Sequence, residues 1–310
     1  MTDSLESDLR QTIETLAVEI GVRTIWHPGT LAAAEDFIAT RLRSAGYTLE
    51  KESFTARGTP VVNLWGERRG TKYPDEIIVV GAHYDSRTGM ARIKGRVPDP
   101  DRPGTPGAND NASGVAAMLA LADAFQHLET ERTIRFIAFV NEEPPFFQTE
   151  EMGSWVHAHR CRERGEKIVG MFTPETLGYY TEEPGTQKLA WFFGRDTGCA
   201  GDFLALLSNW SSRHFLRAMV ASFRARTRFP VVGVPVPRFA RGVAWSDDWG
   251  FWQAGYSGVT VTDTAFLRYR HYHTPQDTPD KLTYPEMTAV VDTLIGVLSD
   301  LDRDRTLPVR

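Results

Sequence analysis

A chain of 310 residues, 41% hydrophobic and 24% charged, has the make-up of a globular protein and a length that one large domain spanning 1–310 can fill, which excludes disordered and fibrous classes. Its formal net charge of −5, with 35 scattered basic residues and no basic stripe, argues against nucleic acid as a partner. Cys161 and Cys199 are too few for a disulfide framework or a thiolate zinc site, and no run is long and apolar enough to span a bilayer. The start, Met1 to Asp8, is acidic and lacks the basic-then-apolar run of an export signal, so a cytoplasmic location is expected.

Along the chain, Leu5 to Ile20 and Leu31 to Leu42 carry apolar residues at helical spacing, and Gly21 and Gly46 stand where helix-ending glycines belong. Tyr47 to Phe54 and Val61 to Gly66 read as strands. Glu76 to Ala82 follows, a continuous apolar run suited to a strand covered on both faces. Arg87 to Gly107, rich in Gly, Pro and Arg, reads as a surface loop. From Ala112 to Leu128 the residues Val115, Met118, Leu119, Ala122 and Phe125 recur at helical spacing, with Asp110 and Asn111 placed to cap the helix. Thr133 to Val140 is the next buried strand.

Strand, helix, strand in that order implies a right-handed crossover between parallel strands, and hence an α/β fold. Ile168 to Phe172 and Val259 to Thr262 read as further strands, and Tyr284 to Leu301 as a closing helix. Arg224 to Gly242, with several prolines, reads as a loop or short linker.

Open α/β folds bind ligands outside the carboxyl ends of their strands. There the unusual polar residues fall: His83 and Asp85 in AHYDS, Asp110 in GANDNASG, Glu142 and Glu143 in FVNEEPP, Glu175 in FTPETLGYY, and His273 in HYHTPQDTPDKL. Taken singly, each has a plainer reading as a core histidine, a helix cap, a solvated acidic pair or a self-bonded turn. Together, so many carboxylates at one edge would repel and take up protons unless a cation neutralised them. Imidazole and carboxylate form a donor set that Zn²⁺, Mn²⁺ or Co²⁺ accepts, and two metals sharing one carboxylate need about this many ligands. The other histidines, His27, His127, His157, His159, His214 and His271, show no ligand pattern.

The ordered series AHYDS, PGANDNASG, NEE, ETLGY and HYHTPQDT resembles metallopeptidase family twenty-eight, which includes bacterial leucyl-type aminopeptidases, glutamate carboxypeptidases and glutaminyl cyclases; the likeness runs from about His83 to Leu282. It implies a three-layer α-β-α sandwich around a mixed, mostly parallel sheet, and two divalent metal ions, with zinc favoured. It makes Asp110 the carboxylate shared by both metals, with His83 and Glu175 completing one site and Glu143 and His273 the other. Glu142 would be the general base and Asp85 the aspartate that accepts the second imidazole proton of His83. Tyr272 would donate to the oxyanion, and the Asp110–Asn111 peptide would be cis. Two departures stand out: Glu175 occupies a position that is often aspartate, and Asp248 in Trp245-Ser246-Asp247-Asp248 stands where a histidine is common, whereas Asp247 fits.

The resemblance therefore implies a zinc-dependent exopeptidase, foremost an aminopeptidase, acting on peptide substrates through a water whose proton Glu142 takes. Pro144 and Pro145 would turn the chain so that Glu143 binds metal while Glu142 faces the nucleophile. Rival readings are a glutaminyl cyclase, a type that generally works with one metal, a carboxypeptidase or dipeptidase, and a non-catalytic binding module. The aromatic residues Trp245, Trp249, Phe251, Trp252, Phe146 and Phe147 are expected mainly in core packing, with a side-chain pocket as their functional alternative.

Overall fold

The computed structural model describes residues 2–89, 103–236 and 246–309; Trp245 and the middle of the Arg87–Gly107 stretch lie outside the described residues, as does the end of Arg224–Gly242. Helix α1 (Thr2–Glu14) continues into a wider helical turn at Thr15–Ile20, which Gly21 ends at φ +85° by donating its N–H to the Leu16 carbonyl. Helix α2 (Pro28–Ser44) begins on a proline and has Arg41 and Arg43 in its last turn, where cations suit the helix dipole.

Strands β1 (Leu49–Ala56), β2 (Thr59–Arg68) and β3 (Tyr73–His83) precede helix α3 (Gly114–Phe125), strand β4 (Arg132–Phe139), helix α4 (Gly153–Glu163) and strand β5 (Lys167–Glu175). Strand β6 (Leu204–Asn209), helix α5 (Arg213–Arg226), strand β7 (Val231–Val236), helix α6 (Asp248–Gln253), strand β8 (Gly258–Thr262) and helix α7 (Tyr284–Arg303) complete the order. All strands join one 8-stranded sheet in the order β1-β2-β4-β3-β5-β8-β6-β7. β4, β3, β5 and β8 run parallel to one another, β1, β2 and β4 alternate in direction, and β6 and β7 run together against β8.

The continuous apolar run of β3 is divided between two cores. Ile78, Val80 and Ala82 meet α1, α2, α3, α5 and α7 on one face, while Ile77 and Val79 meet α4 and α6 on the other. Side chains alternate across a strand, so a run without polar interruption is what a sheet covered on both sides requires. The result is the three-layer α-β-α arrangement with a mixed sheet. No helix among the described residues is long and apolar enough to cross a membrane.

Two expectations change. Within Arg224–Gly242, read as a loop or linker, α5 extends to Arg226 and Val231–Val236 forms β7. Among the described residues β7 is an edge strand, where Pro235 can sit because one side of the strand has no ladder to complete. Asp110 does not cap α3: it has φ −113° and ψ 89°, and Asn111 Oδ1 instead accepts the Gly114 N–H at 3.0 Å.

Candidate metal centre

The parallel strands end at one edge, and the polar series emerges there. His83 is the last residue of β3 and Glu175 the last of β5, while Glu142 and Glu143 follow β4 after Val140 and Asn141. Asn141 at φ +62° and the cis Pro144–Pro145 peptide turn the chain around the glutamate pair. Asp110 comes from the turn leading into α3, where Gly107 has φ +64° and a Cβ would meet the Asp110 carbonyl at 2.3 Å, so only glycine fits. The Asp110–Asn111 peptide is cis, as the resemblance implies. His273, at φ +58°, follows β8 by way of the turn Ala265–Leu267.

These side chains converge. His83 Nε2 lies 3.3 Å from Asp110 Oδ1 and 3.1 Å from Glu175 Oε2. On the other side, His273 Nε2 lies 2.9 Å from Asp110 Oδ2 and 3.3 Å from Glu143 Oε1. Asp110 thus turns one oxygen toward each histidine. His83, Asp110 and Glu175 form one group able to hold a cation, and Asp110, Glu143 and His273 another, with the ligand atoms of each within 4.8 Å of one another. Glu142 stands beside both groups without joining either, its Oε2 at 3.8 Å from His83 Nε2.

Fixed hydrogen bonds hold this arrangement. Asp85 accepts the backbone N–H of Glu142 through Oδ1 at 3.0 Å and that of Glu143 through Oδ2 at 3.1 Å. The Nδ1 of His83 is 3.1 Å from the Asp85 carbonyl and 3.4 Å from its carboxylate, so the Asp85 backbone is the nearer acceptor for that imidazole proton. Asp277 accepts the N–H groups of Asn109 and Asp110 at 2.9 and 3.1 Å and the Tyr269 hydroxyl at 2.9 Å. Ser246 and Asn111 donate to Glu175 Oε2 at 3.0 and 3.2 Å. The fully buried Arg23 donates to the carbonyls of Leu16, Gly21, Tyr84, Pro106 and Gly107, which ties the start of the chain to two loops of the site.

The electrostatics follow from burial and crowding. Burial opposes charge on His83, but the carboxylates of Glu175, Glu142, Asp110 and Asp85 outweigh it and hold the imidazole well above its ordinary value. His273 is raised against the effect of burial to about 9 by Glu143 and Asp110. Burial, reinforced by neighbouring carboxylates and opposed by His83, pushes Glu142 well above the usual range and Glu175 up to about 7. Asp110, buried between two imidazoles that outweigh its desolvation, is held below the ordinary range.

The chemistry of the donor set fits a divalent cation. Among the described residues, His83 Nε2, Asp110 Oδ2, Glu143 Oε1 and His273 Nε2 are all buried without an aligned hydrogen bond, although they crowd within reach of one another. Buried polar atoms are nearly always paired, so unpaired nitrogen and oxygen atoms aimed at shared points mark places for a cation. Glu175 reaches its group despite the extra methylene. Asp247 and Asp248 are fully buried nearby; burial pushes Asp247 up to about 7 and Asp248 well above its ordinary range.

Beside the centre lies an open cleft lined by Glu175 and Tyr272 together with Phe193, Leu207, Phe266 and Leu267. Tyr272 stacks on His273 with ring centroids 3.7 Å apart. Burial and the surrounding carboxylates raise its hydroxyl well above the ordinary value, which leaves it a donor. Of the aromatic residues considered as pocket walls, Phe251 is fully buried against Phe139, and Phe146 stacks on Trp26 instead of lining the cleft. Phe193 and Leu207 carry no motif that would have marked them. Asp277 lies four residues after His273 in the tract read as a turn, and its acceptor role depends on a partner 167 residues away in sequence.

The model of Peptidase family M28 matches residues 63–298. The Uncharacterized protein YfbL of Escherichia coli (strain K12) is 32% identical over 295 residues, covering 94% of this chain and 86% of that protein. Leucine aminopeptidase 1 of Arthroderma otae is 26% identical over 73% of this chain, which spans 54% of the length of that relative. Among solved structures, the glutaminyl cyclase of Fimbriiglobus ruber superposes with a TM-score of 0.69 at 20% identity over 95% of both chains. An aminopeptidase from Aneurinibacillus sp. strain AM-1 superposes with a TM-score of 0.68 at 16% identity over 94% of this chain and 93% of that one. Both share the fold. With the match to the family covering most of its length, the chain belongs to Peptidase family M28.

Proposed function

We propose that this M28 peptidase is an aminopeptidase that works with two divalent cations, zinc favoured, held by His83, Asp110 and Glu175 and by Asp110, Glu143 and His273. The observation that carries the reading is Asp110 facing a histidine with each oxygen, within two groups of which His83 Nε2, Asp110 Oδ2, Glu143 Oε1 and His273 Nε2 have no aligned hydrogen bond among the described residues. When bound, such cations supply Lewis acidity that polarises a carbonyl and lowers the pKa of water toward neutrality.

The residues of the chain do the rest. Glu142, outside both groups, accepts the proton of the water that adds to the scissile carbonyl and returns it to the leaving amine as the C–N bond breaks. Its neighbour Glu143 is committed to a cation, and Asp85 keeps the two backbones in register. The Tyr272 hydroxyl donates to the developing oxyanion. The cleft beyond Glu175, with Phe193, Leu207 and Leu267 in its wall, accepts the apolar side chain of the substrate's first residue.

Relatives named leucine aminopeptidase support the choice of peptide end. Elemental analysis of the purified protein, paired with a panel of aminoacyl 4-nitroanilides, tests it. The reading expects bound divalent metal and chelator-sensitive release of nitroaniline from apolar aminoacyl substrates. Ammonia release from glutaminyl peptides without hydrolysis would overturn it in favour of a cyclase.

A further inference from the structure

Glu142 and Glu143 sit on the loop between β4 and α4, and the two ends of that loop are joined at one point. The Gly153 N–H donates to the Val140 carbonyl at 2.8 Å. Across this closure lies Asn63 of β2, fully buried, whose Oδ1 accepts the Val140 N–H at 3.1 Å while its Nδ2 donates to the Gly153 carbonyl at 2.9 Å. One carboxamide therefore binds both ends of the segment that carries the glutamate pair. The fit is close: a Cβ at position 153 would stand 2.3 Å from Asn63 Oδ1 and 2.4 Å from the Val140 carbonyl oxygen.

A carboxamide can flip, and only one of its two orientations makes these bonds. A chain of buried groups selects it. Arg135 can only donate, so its Nη1, 3.0 Å from His157 Nε2, makes that nitrogen the acceptor and leaves the imidazole proton on Nδ1. Nδ1 then donates to Glu52 Oε2 at 3.0 Å, and the same oxygen accepts from Asn63 Nδ2 at 2.9 Å. Glu52 accepts only, so the NH₂ of Asn63 must face it and the carbonyl oxygen must face Val140. Glu52 and Asn63 are direct cross-strand partners in β1 and β2, which places the orienting group beside its target.

We propose that Asn63 is a positioning residue for peptide hydrolysis, fixing the loop that presents Glu142 and Glu143, and that Glu52, itself set by His157 and Arg135, determines its orientation. The proposal rests on the assignment of Glu142 as proton acceptor and Glu143 as ligand. Neither Asn63 nor Glu52 belongs to a cation-holding group, so their loss removes no ligand.

Asn63→Ala, Asn63→Asp and Glu52→Leu, each compared with Glu142→Gln, test this with an aminoacyl 4-nitroanilide on protein loaded with zinc. Small displacements of reacting groups are costly, so Asn63→Ala is expected to lower kcat by about 10- to 100-fold, with KM within about twofold and metal content retained. Asn63→Asp keeps the shape but sets a second acceptor against Glu52, and it should be equally impaired. Glu52→Leu removes the acceptor that orients the carboxamide and should lower kcat several-fold.

Wild-type kcat in folded Asn63→Ala would overturn the clamp, and wild-type kcat in folded Glu52→Leu would overturn the orienting role of Glu52. Should Asn63→Ala fail to fold, the isosteric Asn63→Asp carries the test: a loss of kcat with metal content retained supports the proposal, and an unchanged kcat rejects it. Full turnover in Glu142→Gln would instead sink the assignment of the base, whatever Asn63 does. An inactive Glu142→Gln beside a wild-type Asn63→Ala would sink the clamp only.

Discussion

Asp85 Oδ1 accepts the backbone N–H of Glu142 at 3.0 Å, and Oδ2 takes the next N–H along the chain, so one carboxylate after β3 fixes the register of the loop after β4. Its backbone carbonyl meanwhile receives the His83 imidazole. Asp85→Asn would turn an amide NH₂ against one of these N–H donors, leaving it unpaired in a buried site. Supporting groups of this kind typically matter by about 10- to 100-fold in metal affinity or activity. We expect Asp85→Asn to lose both by that order, measured as kcat and as zinc retained on dialysis against a graded chelator; full retention of both would remove Asp85 from the site's support.

Glu142 and Glu143 are adjacent but should respond differently to substitution. Glu142→Gln removes a proton acceptor without removing a ligand, so metal content should hold while kcat falls by about 10²- to 10⁴-fold. Asp110→Ala removes an oxygen from both groups and should abolish metal binding along with activity. Elemental analysis of the two variants side by side separates the roles. Metal loss in Glu142→Gln would place it among the ligands instead.

Cation binding should release protons. Without metal, His273 is raised to about 9 and Glu175 to about 7, so at neutral pH the groups hold protons that a cation must displace. The sign follows directly: apparent zinc affinity falls as pH drops through about 9, where His273 gains its proton, and falls further through about 7, where Glu175 does. Calorimetric titration in buffers of different ionisation enthalpy would report more protons released at pH 6 than at pH 9.5. Equal release at both would mean that these residues are not displaced by the metal.

The edge of the sheet was legible in the sequence because it follows from order: apolar strands are each followed by a polar residue, and parallel strands deliver those residues to one side. His83, Asp110, Glu143, Glu175 and His273 accordingly converge as the motifs suggested. Less visible were elements and partners without local signals. β7 was obscured by Pro235, which an edge position tolerates. Asp277 and Asn63 act on backbone 167 and 77 residues away, through bonds that no spacing announces. The wall of the cleft was likewise hidden: Phe193 and Leu207 come from separate segments, and tertiary packing alone brings them beside Glu175.

That wall gives a last prediction, on specificity. Leu207, on β6, lines the cleft together with Tyr272. Leu207→Phe should narrow the space available to the substrate's first side chain without touching a cation-holding group. A change of one methylene in an apolar pocket is worth at least about tenfold in discrimination, so kcat/KM for leucyl and phenylalanyl 4-nitroanilides should fall by about that factor or more relative to alanyl. Because the alanyl methyl stays short of the wall, its turnover should hold, which separates a narrowed cleft from general damage. Parallel losses for all three substrates would place the first side chain somewhere other than this cleft.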